Sequence, residues 1–369
     1  MMGPIHAEAV RRLGSVDVVA LAEADDDLAK KKAREMGIPN SYGSLAKMLR
    51  DAELDSVHIC SPNHLHYKMV KQVIAARKHV VCEKPLALTT KESRELVRLA
   101  KRAGVCNAVG FNYRMYPLVQ QAKRMVETKQ VGEIFNVHGS YLQDWLYLES
   151  DWNWRLEPRR AGASRAVADV GSHWCDLIQF ITGEHIVRVL GDLRTIHKTR
   201  MKPKVEVATY AGKKLRPSQY KKVRINTEDY ASVLVELSGG AHGVFTVSQV
   251  SAGRKNRMWY EIDGSKCALA WDEERPEELW IGRRERPSEI MLKDGLDAKA
   301  AEYAHFPGGH PEGYPDGVRN LVGNFYAHVR KGGRGKASYP CFQDGHNENA
   351  ICEAVLKSAK KARWTDVKY

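Results

Sequence analysis

Three side chains in the sequence have the chemistry to hold and move a proton on a hydroxyl group. Lys84 follows an apolar, strand-like run and Glu83. Asp169 and His173 are four residues apart, a spacing that places two side chains on one face of a helix. An imidazole titrates near neutrality and can act as a general base, while an ammonium and a carboxylate can hydrogen-bond the reacting oxygen. We therefore predict that Lys84, Asp169 and His173 form a catalytic set.

Each of these residues also has a plainer interpretation. Lys84 could be a surface lysine, Asp169 a helix N-cap, and His173 an interior histidine whose hydrogen bonds are satisfied. Asp176, one turn beyond His173, is interpreted as structural. The catalytic interpretation depends on the elements that position the three side chains.

The first part of the chain alternates apolar strand-like runs with charged helical segments. The runs lie at 16–22, 57–60, 79–82 and 105–110. This alternation predicts an α/β domain with a parallel, Rossmann-type sheet, a fold that binds dinucleotides at the carboxyl ends of its strands. Glu23 follows Gly3 by the spacing of a ribose-binding carboxylate, and the acidic turn after it favours NAD over NADP.

The beginning of this pattern is unusual. The sequence starts at Met1-Met2-Gly3-Pro4, directly at a predicted helix, so that Gly3 could be only the last glycine of a GxGxxG turn. We expect the first Rossmann strand to be missing from this chain. Our interpretation is a start site assigned too late, with roughly 15 residues left off.

The second part of the chain changes its pattern after residue 112. A helical segment is followed by long strands of alternating polarity, separated by hairpin turns. This predicts an α+β domain whose antiparallel sheet leaves one face open as a possible subunit interface. We expect an NAD-binding domain at 1–112, a substrate and oligomerisation domain at 113–340, and a C-terminal helix at 341–369 that packs back on the first domain.

Composition excludes several classes of function. The chain has 369 residues, of which 43% are hydrophobic and 28% charged, with a net charge of +13. The Lys and Arg residues are dispersed and no nucleic-acid motif accompanies them, so we predict no nucleic-acid partner. No run approaches the ~20 apolar residues of a membrane span, and no cysteine spacing suggests a metal. The seven scattered cysteines favour buried thiols in a cytoplasmic protein.

Three stretches of the sequence resemble the Gfo/Idh/MocA family. They are SPNHLHYKMVKQVIAARKHVVCEKPLALT, FNYRMYPLVQQAK and ADVGSHWCDL. The resemblance implies a Rossmann domain followed by an open-faced sheet, in homodimers or homotetramers. It implies hydride transfer between a secondary alcohol of a sugar or cyclitol and a nicotinamide.

The resemblance also implies roles for individual residues. Lys84, Asp169 and His173 match the family's catalytic set. The predicted cofactor-binding residues are Gly3, Glu23, Ser61, Pro62, Asn63, His66, Glu83, Lys84 and Arg114. Predicted substrate contacts come from an aromatic and basic cluster, a sheet face and a turn-rich loop: Tyr141, Trp154, Arg155 and His310.

Two other functions remain open at this point. A relative of this kind could keep its NAD and use it transiently, as a sugar-modifying lyase or hydrolase. The incomplete glycine turn favours a different alternative, a truncated non-catalytic paralogue that binds a sugar or a partner protein.

Overall fold

The computed structural model describes residues 2–205 and 215–369, which form two compact units. Unit 1 contains the described residues through Asn112 together with Tyr314–His346. Unit 2 contains Tyr113–Gly313, as far as described, and Asn347–Tyr369. No helix in the described ranges is long and apolar enough to cross a membrane.

Unit 1 begins with alternating helices and strands. The strands are β1 (Ala20–Ala22), β2 (Asn40–Tyr42), β3 (Ser56–Ile59), β4 (His79–Cys82) and β5 (Asn107–Val109). The helices are α1 (Met2–Arg11), α2 (Asp26–Met36), α3 (Leu45–Asp51), α4 (Asn63–Ala75) and α5 (Thr90–Ala103). Helix α5 begins where Thr89 accepts the Glu92 N–H and ends at Gly104, which has a φ of 67°.

The parallel strands of unit 1 form two sheets. One has the order β1–β2 and the other β3–β4–β5. Within the described ranges no strand is hydrogen-bonded to both sheets, so the first strand of a complete Rossmann sheet is absent from this part of the chain. The parallel α/β domain predicted from the sequence is confirmed. The run at 16–22 pairs only over Ala20–Ala22, because its partner β2 is itself three residues long.

The apolar core of unit 1 lies between the three-stranded sheet and its helices. It includes Val57, Val80 and Val109 from the strands, and Val70 and Leu96 from the helices. Burying each side chain of this size contributes roughly 1.5–3 kcal/mol. This packing fixes the carboxyl ends of β3 and β4, from which the loops with Ser61 and Lys84 continue.

Unit 2 consists mainly of strands. They are β6 (Ile134–Leu142), β7 (Ile186–Arg194), β8 (Thr199–Pro203), β9 (Tyr220–Arg224), β10 (Tyr230–Leu237), β11 (His242–Ser248), β12 (Arg257–Gly264), β13 (Ala268–Asp272), β14 (Leu279–Gly282), β15 (Glu289–Met291) and β16 (Thr365–Asp366). Its helices are α6 (Pro117–Glu127), α7 (Pro158–Ala161), a π-helix (Val167–Gly171), α8 (Ser172–Thr182) and α9 (Ala298–Ala301). Two further helices are α10 (Tyr314–Arg330) in unit 1 and α11 (Phe342–Lys361), which begins in unit 1 and continues in unit 2.

Nine strands of unit 2 form one sheet, in the order β15-β14-β13-β12-β6-β11-β10-β7-β16. Neighbours are antiparallel except β6 and β11. One face is covered by helices, as where Trp174 of α8 stacks on Phe245 with ring centroids 4.7 Å apart. The other face exposes Leu234, Val244 and Trp280. The predicted open-faced sheet is therefore confirmed.

The predicted domain layout was wrong at two points. Helix α10, placed in the second domain from the sequence, belongs to unit 1, where Asp316 accepts a 2.6 Å hydrogen bond from Arg12. The C-terminal helix was expected to pack on the first domain, but from Asn347 onward it belongs to unit 2. There Gly191 of β7 has no side chain, so α11 approaches closely and Ser358 Oγ accepts the Gly191 N–H at 3.1 Å.

Candidate functional site

The loops after β3 and β4 carry the predicted residues of unit 1. Glu83 and Lys84 directly follow β4, and the Lys84–Pro85 peptide is cis. His66 is fully buried, with its ring nitrogens 2.7 Å from the Pro85 carbonyl oxygen and 2.9 Å from that of Ser61. Burial lowers the pKa of His66. His66 therefore links the two loops through their carbonyl oxygens, and its side chain is buried beneath the surface where we predicted a cofactor contact.

The loop after β3 offers unsatisfied polar atoms. Within the described ranges, Ser61 Oγ and His64 Nδ1 are buried and have no hydrogen-bond partner. Pro62 stands at the N-cap of α4, where its side chain makes no capping hydrogen bond, and Asn63 is the first helical residue. Buried polar groups are normally paired, and dinucleotides bind at the carboxyl edge of parallel strands. These residues therefore fit a bound dinucleotide.

Two further predicted cofactor residues lie at the start of unit 1. A Cβ placed on Gly3, in the first turn of α1, would meet nothing within 4 Å, so space is open beside this helix N-terminus. Glu23 directly follows β1 and pairs with Lys32 of α2. Its carboxylate is therefore held at the strand end where a ribose-binding acid is expected.

A buried series of hydrogen bonds leads away from Glu83, and no pattern in the sequence indicated it. His6 Nε2 lies 2.9 Å from Glu83 Oε1, and His6 Nδ1 lies 2.9 Å from His58 Nδ1. His58 Nε2 lies 3.0 Å from the Tyr326 hydroxyl, which is 2.8 Å from Ser56 Oγ. The members come from α1, β3, the loop after β4, and α10, so only the folded chain assembles them.

The protonation of this series follows from its geometry and charges. Burial opposes charging of His6, but the neighbouring Cys60 and Glu83 outweigh it and raise the pKa of His6 to about 10. Burial would raise the pKa of Glu83, but its interaction with His6 outweighs this effect and lowers the pKa. Burial lowers the pKa of His58 well below its usual value. A charged His6 therefore donates to both Glu83 and His58, and neutral His58 donates to Tyr326.

We expect the His6–Glu83 pair to give unit 1 a pH-dependent stability. Because the pKa of His6 is raised on folding, its contribution is complete below about pH 6.5 and is lost as pH rises toward 10. His6→Gln keeps one donor but not the charge. It should therefore lower the free energy of unfolding by about 1–3 kcal/mol at pH 7 and flatten the decline in stability between pH 7 and 10. Thermal unfolding at several pH values measures this.

The matched control is His79→Gln in the same unit, because burial lowers the pKa of His79 and leaves it neutral over this range. His79→Gln should keep the decline between pH 7 and 10. An equal slope in wild type and His6→Gln would refute the assigned charge of His6.

Unit 2 positions Asp169 and His173 at the junction of two helices. Asp169 lies in the π-helix and His173 in the first turn of α8, so the regular α-helical face predicted from their spacing is interrupted. Such π-helical turns are frequent at functional sites. Asp169 accepts hydrogen bonds from Arg155 Nε at 3.2 Å and from Gln249 Nε2 at 2.9 Å.

A ring of hydroxyl and amide groups surrounds His173. Tyr141 donates to Asn256 Oδ1 at 2.7 Å, and Asn256 Nδ2 donates to the Tyr113 hydroxyl at 2.8 Å. The 2.7 Å contact between the two tyrosines then has Tyr113 as donor and closes the cycle. The His173 ring lies 5.0 Å from that of Tyr113 and 6.1 Å from that of Tyr141. The two tyrosines of this cycle therefore pack against the imidazole.

A second carboxyl group lies beside this ring. Glu273 accepts a hydrogen bond from Tyr116 at 3.3 Å. Burial outweighs its hydrogen bonds to Asn256 and Tyr116 and raises the pKa of Glu273 to about 7. Glu273, Gln249 and Asn256 were missed at the sequence level. They come from distant segments that only the register of β6, β11 and β12 brings together.

The other predicted residues of unit 2 have varied surroundings. The guanidinium groups of Arg155 and Arg160 lie 4.6 and 5.7 Å from the centre of the Trp154 ring. Arg114, predicted to contact the cofactor, is buried in a bidentate ion pair with Asp176. His310 is exposed, and its Nδ1 is 3.4 Å from the Gly308 carbonyl in its own loop. The structure therefore places Arg155 against Asp169 and Tyr141 against His173.

One cluster on the open sheet face has metal-ligand chemistry. His138, Glu261 and Asp263 offer ligand atoms within 4.8 Å of one another, a grouping the sequence analysis did not predict. His138 Nε2 is 3.4 Å from Asp263 Oδ2, so the cluster is also explained as a surface ion pair. It has no part in the chemistry proposed below.

Comparison with known families agrees with these two units. A model of the oxidoreductase family with an NAD-binding Rossmann fold matches residues 1–111, and a model of the GFO/IDH/MocA C-terminal domain matches residues 119–270. The chain belongs to the Gfo/Idh/MocA family of oxidoreductases. Its first unit therefore contains an NAD-binding Rossmann domain, as predicted from the sequence.

Among proteins of known activity, levoglucosan dehydrogenase of Pseudarthrobacter phenanthrenivorans is 29% identical over 360 residues, covering 94% of this chain and 88% of the relative. A solved levoglucosan dehydrogenase in complex with NADH and L-sorbose has a TM-score of 0.88 at 27% identity, covering 100% of this chain and 96% of the other. An inositol dehydrogenase homologue from Azotobacter vinelandii, complexed with NAD⁺, has a TM-score of 0.87 at 25% identity, covering 99% and 94% of the chains.

Proposed function

We propose that this protein is an NAD-dependent dehydrogenase that acts on a secondary alcohol of a sugar or cyclitol. The observation that carries the proposal is the network in which Asp169 and His173 are held by amide and hydroxyl groups. A site of this kind can bind several hydroxyl groups and still keep one base for a proton. The levoglucosan dehydrogenase and the inositol dehydrogenase homologue among the similar proteins support the same substrate class.

In this proposal His173 accepts the hydroxyl proton. An imidazole has the basicity for this near neutral pH. Its ring packs against Tyr113 and Tyr141, whose hydroxyl groups are hydrogen-bonded to each other and to Asn256. Asp169 is held by Arg155 and Gln249 and orients the substrate through an acceptor oxygen.

Unit 1 supplies the cofactor site and a cation. Bound NAD supplies the hydride acceptor. We assign Gly3 to its pyrophosphate, Glu23 to its ribose, and Ser61 and Asn63 to the nicotinamide end, since Ser61 Oγ is buried without a partner among the described residues. Glu23 argues for NAD over NADP because a carboxylate repels a 2′-phosphate. Lys84 stabilises negative charge on the reacting oxygen.

A screen of NAD⁺ reduction over monosaccharides, anhydrosugars, glucosides and inositols tests the proposal. We expect reduced nicotinamide to accumulate with at least one member. Substrate consumption without net reduction would favour the lyase or hydrolase alternative. Failure to bind NAD would favour the non-catalytic paralogue.

We further propose that two copies associate through the open sheet face. Leu234 and Val244 face each other across β10 and β11 and are 44% and 37% exposed. Ile290 and Trp280, also paired across strands, form a second exposed apolar pair on the same face, beyond His138 and Glu261. Large exposed apolar surfaces on soluble domains mark association sites.

Leu234→Glu is expected to convert the oligomer to a monomer, because it would place a charge in the proposed apolar contact. Light scattering coupled to size-exclusion chromatography measures the mass. Glu236→Gln, a change further along the same strand, should leave the mass unaltered. A wild-type monomer at all concentrations would contradict the proposal.

A further inference from the structure

Gln249 is a fully buried side chain that links a buried arginine to Asp169. Its exposed fraction is 0%, and it follows β11 directly. Gln249 Oε1 accepts from Arg165 at 2.9 Å, and Gln249 Nε2 donates to Asp169 Oδ2 at 2.9 Å. Its backbone is also fixed, since its N–H donates to the Asp229 carbonyl at 3.0 Å.

The partners of Gln249 allow one orientation of its amide. A guanidinium can only donate, so the amide oxygen must face Arg165. A carboxylate accepts when ionised, so the amide nitrogen must face Asp169. Turning the amide over would set N–H against N–H and oxygen against oxygen at a site closed to water. Arg165 therefore selects the direction in which Gln249 donates.

Arg165 is held in place by groups on the far side of this chain. Its side chain is fully buried and pairs with Asp229. Its Nε also donates to Thr227 at 3.2 Å. Glu228 accepts the backbone N–H groups of Arg165 and Val167 at 2.7 and 3.0 Å, which fixes the residues that lead into the π-helix. Both ends of the hydrogen-bonded series that runs from Asp229 through Arg165 and Gln249 to Asp169 are therefore held in place.

We propose that Gln249, oriented by Arg165, is a positioning residue that keeps Asp169 in its ionised, substrate-orienting state. This inference rests on the proposed function, since it needs Asp169 to be part of the reaction. Arg155 donates to one carboxylate oxygen, Oδ1, and Gln249 donates to the other, Oδ2. A hydrogen bond to the charged form of a carboxylate favours that form.

Gln249→Glu tests the proposal because it is nearly isosteric and keeps the acceptor for Arg165. The new carboxylate would face Asp169 and favour its protonation. We expect kcat/KM at pH 7 to fall about tenfold or more and the acid limb of the pH profile to move up by about one unit. His173, the proposed base, also shapes this acid limb, and the groups that face Asp169 include Arg155, Tyr141 and the residue at 249.

The matched control is Gln179→Glu. Gln179 Nε2 donates to Glu348 at 2.8 Å, so this variant also sets two carboxylates together, on α8 and α11. It should keep the wild-type pH profile. If Gln249→Glu fails to fold, Gln249→Met removes the donor without adding charge and should move the acid limb in the same direction by a smaller amount.

The outcomes separate this inference from the proposed function. Retained turnover in Asp169→Asn would mean that the function of Asp169 was wrongly assigned. Loss of turnover in Asp169→Asn, together with wild-type acid limbs in Gln249→Glu and Gln249→Met, would overturn the positioning role alone. A raised acid limb in the Gln249 variants and an unchanged one in Gln179→Glu supports it.

Discussion

Replacing His173 by glutamine is expected to lower kcat by about 10²–10⁴-fold, the range of general base catalysis. Glutamine keeps a polar side chain of similar reach but cannot take a proton near neutral pH. His173 is 6% exposed and packed against Tyr113 and Tyr141. Because glutamine fills a similar volume in this packing, the variant should keep the fold. Steady-state kinetics with the substrate found in the screen, together with thermal unfolding, measure both effects.

A second histidine variant controls for general effects of the substitution. His242 is exposed on β11, and its ring contacts Trp364 edge-on at 6.3 Å. His242→Gln should retain wild-type kcat. Full turnover in His173→Gln would refute the assignment of the base, whatever the behaviour of the control.

Replacing Asp229 by asparagine should cost about 3–5 kcal/mol of stability, the usual result of breaking a buried ion pair on one side. Asp229 Oδ1 accepts from both Arg165 and Arg200, and all three side chains are 0% exposed. Its Oδ2 accepts the N–H groups of Ile196 and His197 at 2.8 and 3.1 Å. Neutralising Asp229 would leave two buried guanidinium groups without their counter-charge.

The same cluster predicts how the stability of the protein changes with pH. Burial raises the pKa of Asp229, but Arg165 and Arg200 outweigh it and the net pKa is lowered. Its contribution to stability is therefore present above about pH 4, the unfolded-state value, and is lost as pH falls through the folded value.

Chemical denaturation at neutral pH tests the Asp229 prediction. Asp192 is an exposed aspartate on β7, and Asp192→Asn should change stability by no more than about 0.5 kcal/mol. An equally small effect of Asp229→Asn would contradict the structural role given to the buried cluster. Because Arg200 also donates to the Leu146 and Leu148 carbonyls, loss of Asp229 should loosen the segment after β6 as well.

The fold was predictable where local pattern and tertiary structure agree. In the run at 79–82, Val80, Val81 and Cys82 are all buried, so its continuous apolar character indicated a parallel sheet directly. The run at 57–60 alternates buried and half-buried side chains, and its position between helical segments indicated the strand. The open face of the unit 2 sheet was visible in the alternation of strands such as β10, where Ala231, Val233 and Val235 are buried and Leu234 is exposed.

Packing of the last helices was not predictable in this way. Helix α10 has a buried face, and α11 is buried on all sides over 345–352. Periodicity shows that a helix has a buried face without showing what covers it. The partner surfaces are set by features distant in sequence, such as the ion pair between Arg12 and Asp316 and the bare backbone of Gly191.

The same distinction between local pattern and tertiary structure applies to the residues of the candidate site. Lys84, Asp169 and His173 stand in short motifs, so the sequence singled them out, although the π-helical turn at Asp169 left no recognisable signal. Gln249 and Asn256 are ordinary amides in the sequence. They acquire a role only through the strand register that places them beside Asp169 and the two tyrosines.

The central claim is net hydride transfer from a carbinol carbon to the nicotinamide ring. It is tested most directly with a substrate deuterated at its carbinol carbons, followed by mass spectrometry of the cofactor and the sugar after turnover. The proposed dehydrogenase predicts deuterium in accumulated NADH and a ketone product. Deuterium that returns to the sugar product, with no net gain of NADH, would contradict the claim.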